Sequence, residues 1–253
     1  MPDQTPSDDP PIVSKPVTVL AEISELPRDH QPVLDHGFVR LDGVMADDLS
    51  VVNAARVSFA RRKEIMDKAD EGLIRFLMRE RHGTPFEHNS FRFHIRCPIF
   101  VAREWFRHRI GSFNEFSMRY AKATDEFYVP SVEDVRTQVG KPGAYTFERV
   151  DDEVAEHTRA EMQAVYDAAY AAYERMVESG IARELARCVL PVGAYTEFFW
   201  TVNARALMNF VSLRASEAAQ REIRSYAEVI ETFLADRMPL THEAFVGNNR
   251  TAP

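Results

Sequence analysis

Cysteine is scarce in this chain of 253 residues, which contains only Cys97 and Cys188. Two cysteines so far apart form neither a CxxC pair nor a cysteine-rich framework, and this excludes a fold held together by several disulfides. Each is expected to be a small, buried side chain, although the neighbouring Arg187 leaves open a lowered thiol pKa for Cys188. We therefore expect a reducing, cytoplasmic environment.

Long apolar runs are also lacking. No stretch approaches the roughly 20 apolar residues that a membrane-spanning helix needs. The first residues, Met1-Pro2-Asp3-Gln4, resemble neither the basic n-region nor the apolar h-region of a signal peptide. Export and membrane insertion are not expected.

An excess of positive charge is missing as well, because 31 Lys and Arg residues stand against 39 Asp and Glu residues. A general nucleic-acid binder gains affinity by neutralising phosphates with surplus basic residues, so that class of protein is not expected. Hydrophobic residues make up 45% of the chain, which is enough for a globular core. Any site for an anion must therefore be a local feature.

Proline is unevenly distributed, since seven of the 14 prolines fall within the first 32 residues. The surrounding residues are mostly Asp, Ser and Thr, a composition that buries little apolar surface. We predict a flexible, Pro-rich tail over residues 1–33, one folded domain over residues 34–248 and a short C-terminal tail over residues 249–253.

Apolar periodicity predicts both helices and strands. Phe91, Phe93 and Ile95 alternate with basic residues, as in a half-buried strand. Further strands are predicted near Phe38 and over residues 195–200, and helices over 48–59, 70–81, 98–110, 151–179, 181–189, up to Arg214, and from Ile223 to Phe233. These patterns predict an α/β fold of the α+β type, with a small mixed sheet flanked by several helices in a single domain.

One segment concentrates polar side chains that suit an anion. Its members are Arg103, Arg107, His108, Arg109, Asn114, Glu115, Ser117, Arg119 and Lys122, placed on a helix and the loop after it. Arg103 and Arg107 are four residues apart and are expected to share a helix face. Arginine offers a planar fork of donors to a phosphate. The alternative is a solvated helix end at which basic residues meet the helix dipole.

Order and spacing decide between these interpretations. Arg107-His108-Arg109 is followed, after seven residues, by Ser117. Four fixed residues at fixed spacing arise by chance on the order of once in 10⁵ positions. This pattern resembles the R-H-R-x7-S signature of the flavin-dependent thymidylate synthases.

Other blocks resemble the same family in the same order, and together they cover roughly residues 37–245. They are His82, Thr84-Pro85-Phe86-Glu87-His88, Pro98-Ile99-Phe100-Val101-Ala102-Arg103, Arg187 before Leu190-Pro191, and Phe198-Phe199-Trp200-Thr201-Val202-Asn203-Ala204-Arg205. The resemblance implies a mixed α/β domain that assembles as a homotetramer, with FAD bound where subunits meet. It also implies reductive methylation of dUMP to dTMP, with methylenetetrahydrofolate as one-carbon donor and NADPH as reductant.

The resemblance carries residue roles onto this chain. The FAD contacts it implies are Thr84, Arg107, His108, Arg109, Glu115, Asn203, Arg205 and Asn209. The dUMP contacts it implies are Glu104, Arg107, Glu115, Phe116, Ser117, Met118, Arg119, Arg187 and Arg214. Glu104 departs from some relatives, which have Gln there, and an ionised carboxylate cannot donate a hydrogen bond.

Arg214 is the residue to which we assign catalysis. It ends one predicted helix just before the next begins, so its side chain can point into a cleft. A guanidinium stays protonated, so it would stabilise negative charge developing on the uracil without donating a proton. The alternative is a cation that stabilises the C-terminal end of a helix.

Several further patterns in the sequence have simple explanations. His82, His88 and His94 are six residues apart, which does not match the spacing of a helical zinc pair, and we predict no metal. Ser117 is expected to position substrate, because no base and orienting residue adjoin it. No GxGxxG motif follows a predicted strand, so FAD would not bind in a dinucleotide fold.

Two alternative functions remain open for the sequence. They are a flavin reductase and a non-catalytic nucleotide-binding protein.

Overall fold

The computed structural model describes residues 31–141 and 143–253. Residues 1–30 of the predicted N-terminal tail lie outside this range. Residues 31–33, the rest of that predicted segment, form a short strand that pairs with the strand after it. Among the described residues, no helix is both long and apolar enough to cross a membrane.

The described strands form a five-stranded sheet and a separate hairpin. In chain order they are β1 (Gln31–Val33), β2 (Gly37–Met45), β3 (Ser90–Pro98), β4 (Ser112–Glu115), β5 (Arg136–Lys141), β6 (Ala144–Arg149) and β7 (Tyr195–Asn203). The sheet order is β1-β2-β3-β7-β4, and β5 pairs with β6. Every pairing between these strands is antiparallel.

Helices account for most of the remaining described chain. They are α1 (Asp48–Arg56), α2 (Lys68–Arg79), α3 (Thr84–Glu87), α4 (Ile99–Trp105), α5 (Asp152–Glu178), α6 (Arg183–Ala186), α7 (Ala204–Arg214), α8 (Arg221–Arg237) and α9 (Pro239–Gly247). The α+β class predicted from the sequence is confirmed, while the pairings described in the sheet are all antiparallel and not a mixture of parallel and antiparallel.

The core lies between one face of the sheet and the helices that follow β3 and β7. Trp105 of α4 is fully buried. Its ring centroid lies 5.4 Å from that of Trp200 on β7 and 4.7 Å from that of Phe210 on α7. Large aromatic side chains contribute the most buried area per residue, so this contact fixes α4 and α7 against the sheet. Helix α7 and the helix before the basic segment are thereby held together.

Helix α4 corrects one prediction. The helix ends at Trp105, and not near Ile110, so Arg107 lies beyond its end and shares no helix face with Arg103. The chain leaves the helix early because β4 must return to pair with β7. Gly111 permits this close approach, since a Cβ there would lie 2.8 Å from Trp200 Nε1 and 3.0 Å from the Thr201 carbonyl oxygen.

Candidate functional site

The basic segment identified in the sequence forms a turn between α4 and β4. The backbone N–H of Arg107 donates to the Glu104 carbonyl at 3.3 Å, and that of His108 donates to the Trp105 carbonyl at 2.9 Å. These bonds continue the last turn of α4 for two residues. Arg107 and Arg109 are exposed, whereas His108 between them is partly buried. The turn therefore presents two cations to solvent and directs one imidazole inward.

The second part of the site begins where β7 passes into α7. The Asn203 side chain caps α7 by accepting a hydrogen bond from the Ala206 N–H at 2.9 Å. Arg205 and Asn209, four residues apart on α7, are both exposed on the same face of the helix. Arg214 is the last residue of the helix. The turn after α4 and the stretch from Asn203 along α7 are therefore the two parts of the site.

A cleft of about 720 Å³ lies between these two segments. Its lining residues are Arg81, Glu87, Arg107, His108, Arg109, Ile110, Asn203, Arg205, Ala206, Asn209, Leu213, Arg214, Ala252 and Pro253. We call it the first cleft. Five arginine side chains and one carboxylate side chain line it, although the whole chain has a net charge of -8. Such a local surplus of arginine suits an anionic ligand.

A second cleft of about 1070 Å³ adjoins the first and shares three arginines with it. Its lining residues are Phe100, Arg103, Glu104, Phe106, Arg107, Arg109, Val192, Arg214 and Gln220. The shared residues are Arg107, Arg109 and Arg214. Because these three arginines face both clefts, a ligand bound in one cleft would lie next to a ligand bound in the other.

Arg214 lies at the border of the two clefts and is held by three hydrogen bonds. Its Nη1 donates to Glu104 Oε2 at 2.9 Å, and its Nη2 donates to the Glu104 carbonyl at 3.1 Å. Its Nε donates to His108 Nε2 at 2.9 Å. The Arg214 side chain is 22% exposed, so its charge is only partly screened by water.

The neighbours of Arg214 have shifted acidities. Burial, together with the positive charge of Arg214, lowers the pKa of His108 to about 4. Burial raises the pKa of Glu104 from its usual value, with a further contribution from Glu222, while Arg214 opposes the shift. His108 is therefore neutral at physiological pH, and the site keeps the charge of its arginines.

The sequence-predicted FAD set is largely brought together. Six of its eight members, Arg107, His108, Arg109, Asn203, Arg205 and Asn209, line the first cleft. Thr84 is exposed on α3, the helix whose Glu87 lines that cleft. Glu115 lies at the end of β4, where its Oε1 accepts from the Thr196 hydroxyl at 2.8 Å.

The predicted dUMP set falls into two groups. Glu104, Arg107 and Arg214 line the second cleft. The remaining members end β4, follow it or precede β7: Glu115, Phe116, Ser117, Met118, Arg119 and Arg187. Met118 is buried in a cluster with Ala186, and Arg119 Nε lies 3.4 Å from Glu184 Oε2, so this second group adjoins α6. Ser117 accepts a 3.4 Å bond from the Arg119 N–H through its hydroxyl.

The cysteines differ from each other in exposure. Cys97 is fully buried, as predicted from the sequence, and burial raises the pKa of its thiol well above the usual value. Cys188 is exposed, which corrects the prediction that both cysteines are buried. The three-residue turn after α6 carries it outward, with its Sγ 3.6 Å from the Glu184 carbonyl oxygen.

Some residues of the first cleft were not predicted from the sequence. Glu87 binds Arg205 through a 2.6 Å contact between Oε1 and Nη1, and a main-chain oxygen of Pro253 accepts from Arg205 Nε at 2.6 Å. The position of Glu87 within a family-like block was the available signal. Pro253 gave none, because it comes from the segment predicted to be a tail. Across the described ranges, no group of three or more His, Cys, Asp or Glu side chains is arranged to hold a metal ion.

Comparison with known proteins shows which family this chain resembles. The model of the family described as thymidylate synthase complementing protein matches residues 41–240. The flavin-dependent thymidylate synthase of Thermotoga neapolitana is 47% identical over 216 residues, covering 85% of this chain and 93% of that protein. The enzyme of the same name from Thermosipho africanus is 46% identical over 214 residues, covering 85% and 92%.

A solved structure shows the same fold. The UMP/dUMP methylase PolB from Streptomyces cacaoi, bound with 5-Br dUMP, is 44% identical and superposes with a TM-score of 0.81. The match covers 87% of this chain and 99% of that chain. The resemblance seen in the R-H-R-x7-S pattern therefore extends to the whole domain, and the chain belongs to the flavin-dependent thymidylate synthase family.

Proposed function

We propose that this enzyme methylates dUMP to dTMP with a bound flavin. The observation that carries the proposal is the shared wall of the two clefts, to which Arg107, Arg109 and Arg214 contribute. A nucleotide monophosphate and a flavin dinucleotide are both anions, and a methyl transfer needs them side by side. The solved relative described as a UMP/dUMP methylase, seen with 5-Br UMP in one structure and with 5-Br dUMP in another, supports a uridine monophosphate substrate.

The first cleft fits FAD by the chemistry of its lining. A diphosphate requires several donors, and Arg107, Arg109 and Arg205 offer planar guanidinium groups that bind such oxygens in pairs. Asn209 adds an exposed amide on the same face of α7 as Arg205. When bound, reduced FAD supplies the reducing equivalents for the new methyl group. The protein supplies position and positive charge.

The second cleft is the proposed site of dUMP. Arg107 would bind the phosphate, and Arg214 would stabilise negative charge on the pyrimidine. Within one protomer neither cysteine reaches the proposed dUMP site, because Cys97 is buried in the core and Cys188 is outside both cleft linings. The described lining of the two clefts therefore favours a reaction without a cysteine nucleophile.

A homotetramer with FAD at the subunit interfaces is part of this proposal. On one protomer, the proposed dUMP contacts form two groups, one in the second cleft and one beside α6. A second protomer can complete the site by placing its α6 group beside the cleft of the first. Methylenetetrahydrofolate and NADPH are the proposed cosubstrates, and the cytoplasm is the proposed location.

The first prediction concerns FAD binding. Replacing Arg109 or Asn209 with alanine is expected to raise the Kd for FAD about tenfold or more, since each change removes a polar contact that can be worth ~1.5 kcal/mol. Flavin fluorescence during titration of the purified apoprotein measures this. The matched control is Arg175→Ala on α5, an exposed arginine outside both clefts. Unchanged FAD affinity in both cleft variants would refute this assignment of the cofactor.

The second prediction concerns the Pro-rich N-terminal segment. Deleting residues 1–30 is expected to leave dTMP formation within about twofold of the full chain, because a segment of this composition buries little apolar area to offset its ordering entropy. The deletion stops before β1, which pairs with β2 and belongs to the sheet. A truncated protein that retains flavin and its thermal midpoint but makes no dTMP would contradict the predicted domain boundary.

A further inference from the structure

The Arg214 guanidinium is fixed by neighbours on three different nitrogens. Glu104, near the end of α4, accepts from Nη1 through its carboxylate and from Nη2 through its carbonyl. His108, in the turn after the helix, accepts from Nε. A planar group bonded at all three nitrogens cannot rotate or shift without breaking at least one of these bonds. The arrangement goes beyond what simple neutralisation of a cation requires.

Two donors remain available on the same guanidinium. Arginine has five N–H donors, and the three bonds described use one on each nitrogen. One N–H on Nη1 and one on Nη2 are left, and each can donate to a ligand oxygen. A free arginine side chain loses much rotamer entropy when it is ordered, and here that ordering is complete before a ligand binds.

We propose that Glu104 and His108 are positioning residues, which act on the reaction through Arg214 by fixing its guanidinium between the two clefts. The proposal rests on the catalytic role proposed above for Arg214. It differs from the roles that the sequence implied, in which Glu104 contacts dUMP and His108 contacts FAD.

The surroundings of His108 agree with this role. The Arg214 Nε group can only donate, so His108 Nε2 must carry the lone pair and the ring proton must lie on Nδ1. The imidazole packs edge-on against Phe210 of α7, with ring centroids 4.9 Å apart and an interplanar angle of 72°. This contact holds the ring plane, so the acceptor keeps its direction.

The chain offers substitutions that separate packing from hydrogen bonding. His108→Phe retains a ring against Phe210 but removes the acceptor for Arg214. Glu104→Ala removes the carboxylate but leaves the main-chain carbonyl, whereas Glu104→Gln keeps a side-chain oxygen that can accept from Nη1. Each variant is made alone and in the Arg214→Ala protein, so that the four rates of a double-mutant cycle can be compared.

The measurements are kcat for dTMP formation, KM for dUMP and flavin content. If Glu104 and His108 act by positioning Arg214, Glu104→Ala and His108→Phe should each lower kcat about tenfold and change KM less than about threefold. The reason is that the lost alignment of the Arg214 guanidinium matters most in the transition state. Glu104→Gln should retain kcat within about threefold. In the Arg214→Ala protein, the same substitutions should lower kcat by less than about twofold, since there is no guanidinium left to hold.

The alternative results are distinct. If Glu104→Ala and His108→Phe lower kcat in the Arg214→Ala protein as much as in the parent, they contact the ligands independently and the positioning proposal is overturned. If Arg214→Ala alone has normal turnover, the catalytic role of Arg214 fails, and the positioning role fails with it. Should His108→Phe lose flavin or fail to fold, the Glu104→Ala and Glu104→Gln pair decides the question by the same comparison.

Discussion

Replacing Arg214 with alanine is expected to slow dTMP formation by a factor on the order of 10²–10³ while FAD remains bound. The loss is large because a preorganised cation acts on charge that develops during the reaction, and such a group is worth several kcal/mol in a partly desolvated site. Turnover at saturating dUMP, measured together with the flavin absorbance of the same sample, checks both parts of the expectation.

The position of Arg214 explains why turnover should fall while FAD remains bound. Arg214 is the last residue of α7 and lies at the border of the two clefts, whereas Arg107 and Arg109 remain to hold an anion in each. Arg214→Ala therefore removes one cation from a site that keeps several. Simultaneous loss of flavin and turnover would indicate that Arg214 serves cofactor binding, and it would contradict a specific catalytic role.

The matched controls for this prediction are the two cysteines. Cys188→Ser and Cys97→Ser are expected to keep turnover within about tenfold, since each is a small change and neither thiol lines a cleft. An inactive Cys188→Ser protein with normal flavin content would point to cysteine catalysis. That result would overturn the flavin mechanism whatever Arg214→Ala shows.

The sequence predicted the parts of the site that depend on local order. The motif from Arg107 to Ser117 has a fixed spacing that needs no tertiary information. The strand through Phe93 and the helix that ends at Arg214 follow from apolar periodicity, and both are confirmed. These features are properties of short windows of the chain.

Contacts between residues far apart in the chain could not be predicted from short windows of the sequence. Glu104 and Arg214 are separated by 110 positions, and no local pattern indicates that they bind each other. Strand β4 has only four residues, too few for a clear alternation, and exists because β7 is available to pair with it. The exposure of Cys188 likewise depends on where α6 ends, which apolar neighbours in the sequence do not reveal.

A buried carboxylate connects the elements that precede one wall of the first cleft. Asp70 of α2 is fully buried. Its Oδ1 accepts from Arg56 Nε at 3.1 Å, and its Oδ2 accepts from Lys63 Nζ at 2.6 Å and from the Asp67 N–H at 2.9 Å. These bonds connect α1, the loop after it and the start of α2. Helix α2 then leads to α3, whose Glu87 lines the cleft.

The acidity of Asp70 gives the sign of its pH dependence. Burial by itself would raise the pKa, but the bonds from Lys63, the Asp67 N–H and Arg56 outweigh it and lower the pKa from 3.8 to about 2. A carboxylate whose pKa is lower in the folded protein than in the unfolded chain stabilises the fold when ionised. That contribution is complete above the ordinary pKa of 3.8 and is lost as the pH falls through about 2.

Asp70→Ala is therefore expected to lower the free energy of unfolding at pH 7 by roughly 3 kcal/mol, because it leaves Arg56 and Lys63 without their buried partner. Urea unfolding at equal protein concentrations measures the change, and the difference from the parent should shrink as the pH is lowered from about 4 towards 2. The control is Asp236→Ala, an acid with a 67% exposed side chain on α8, for which a change within about 0.5 kcal/mol is expected. Equal stabilities for Asp70→Ala and the parent at pH 7 would show that the Asp70 network does not hold α2 in place.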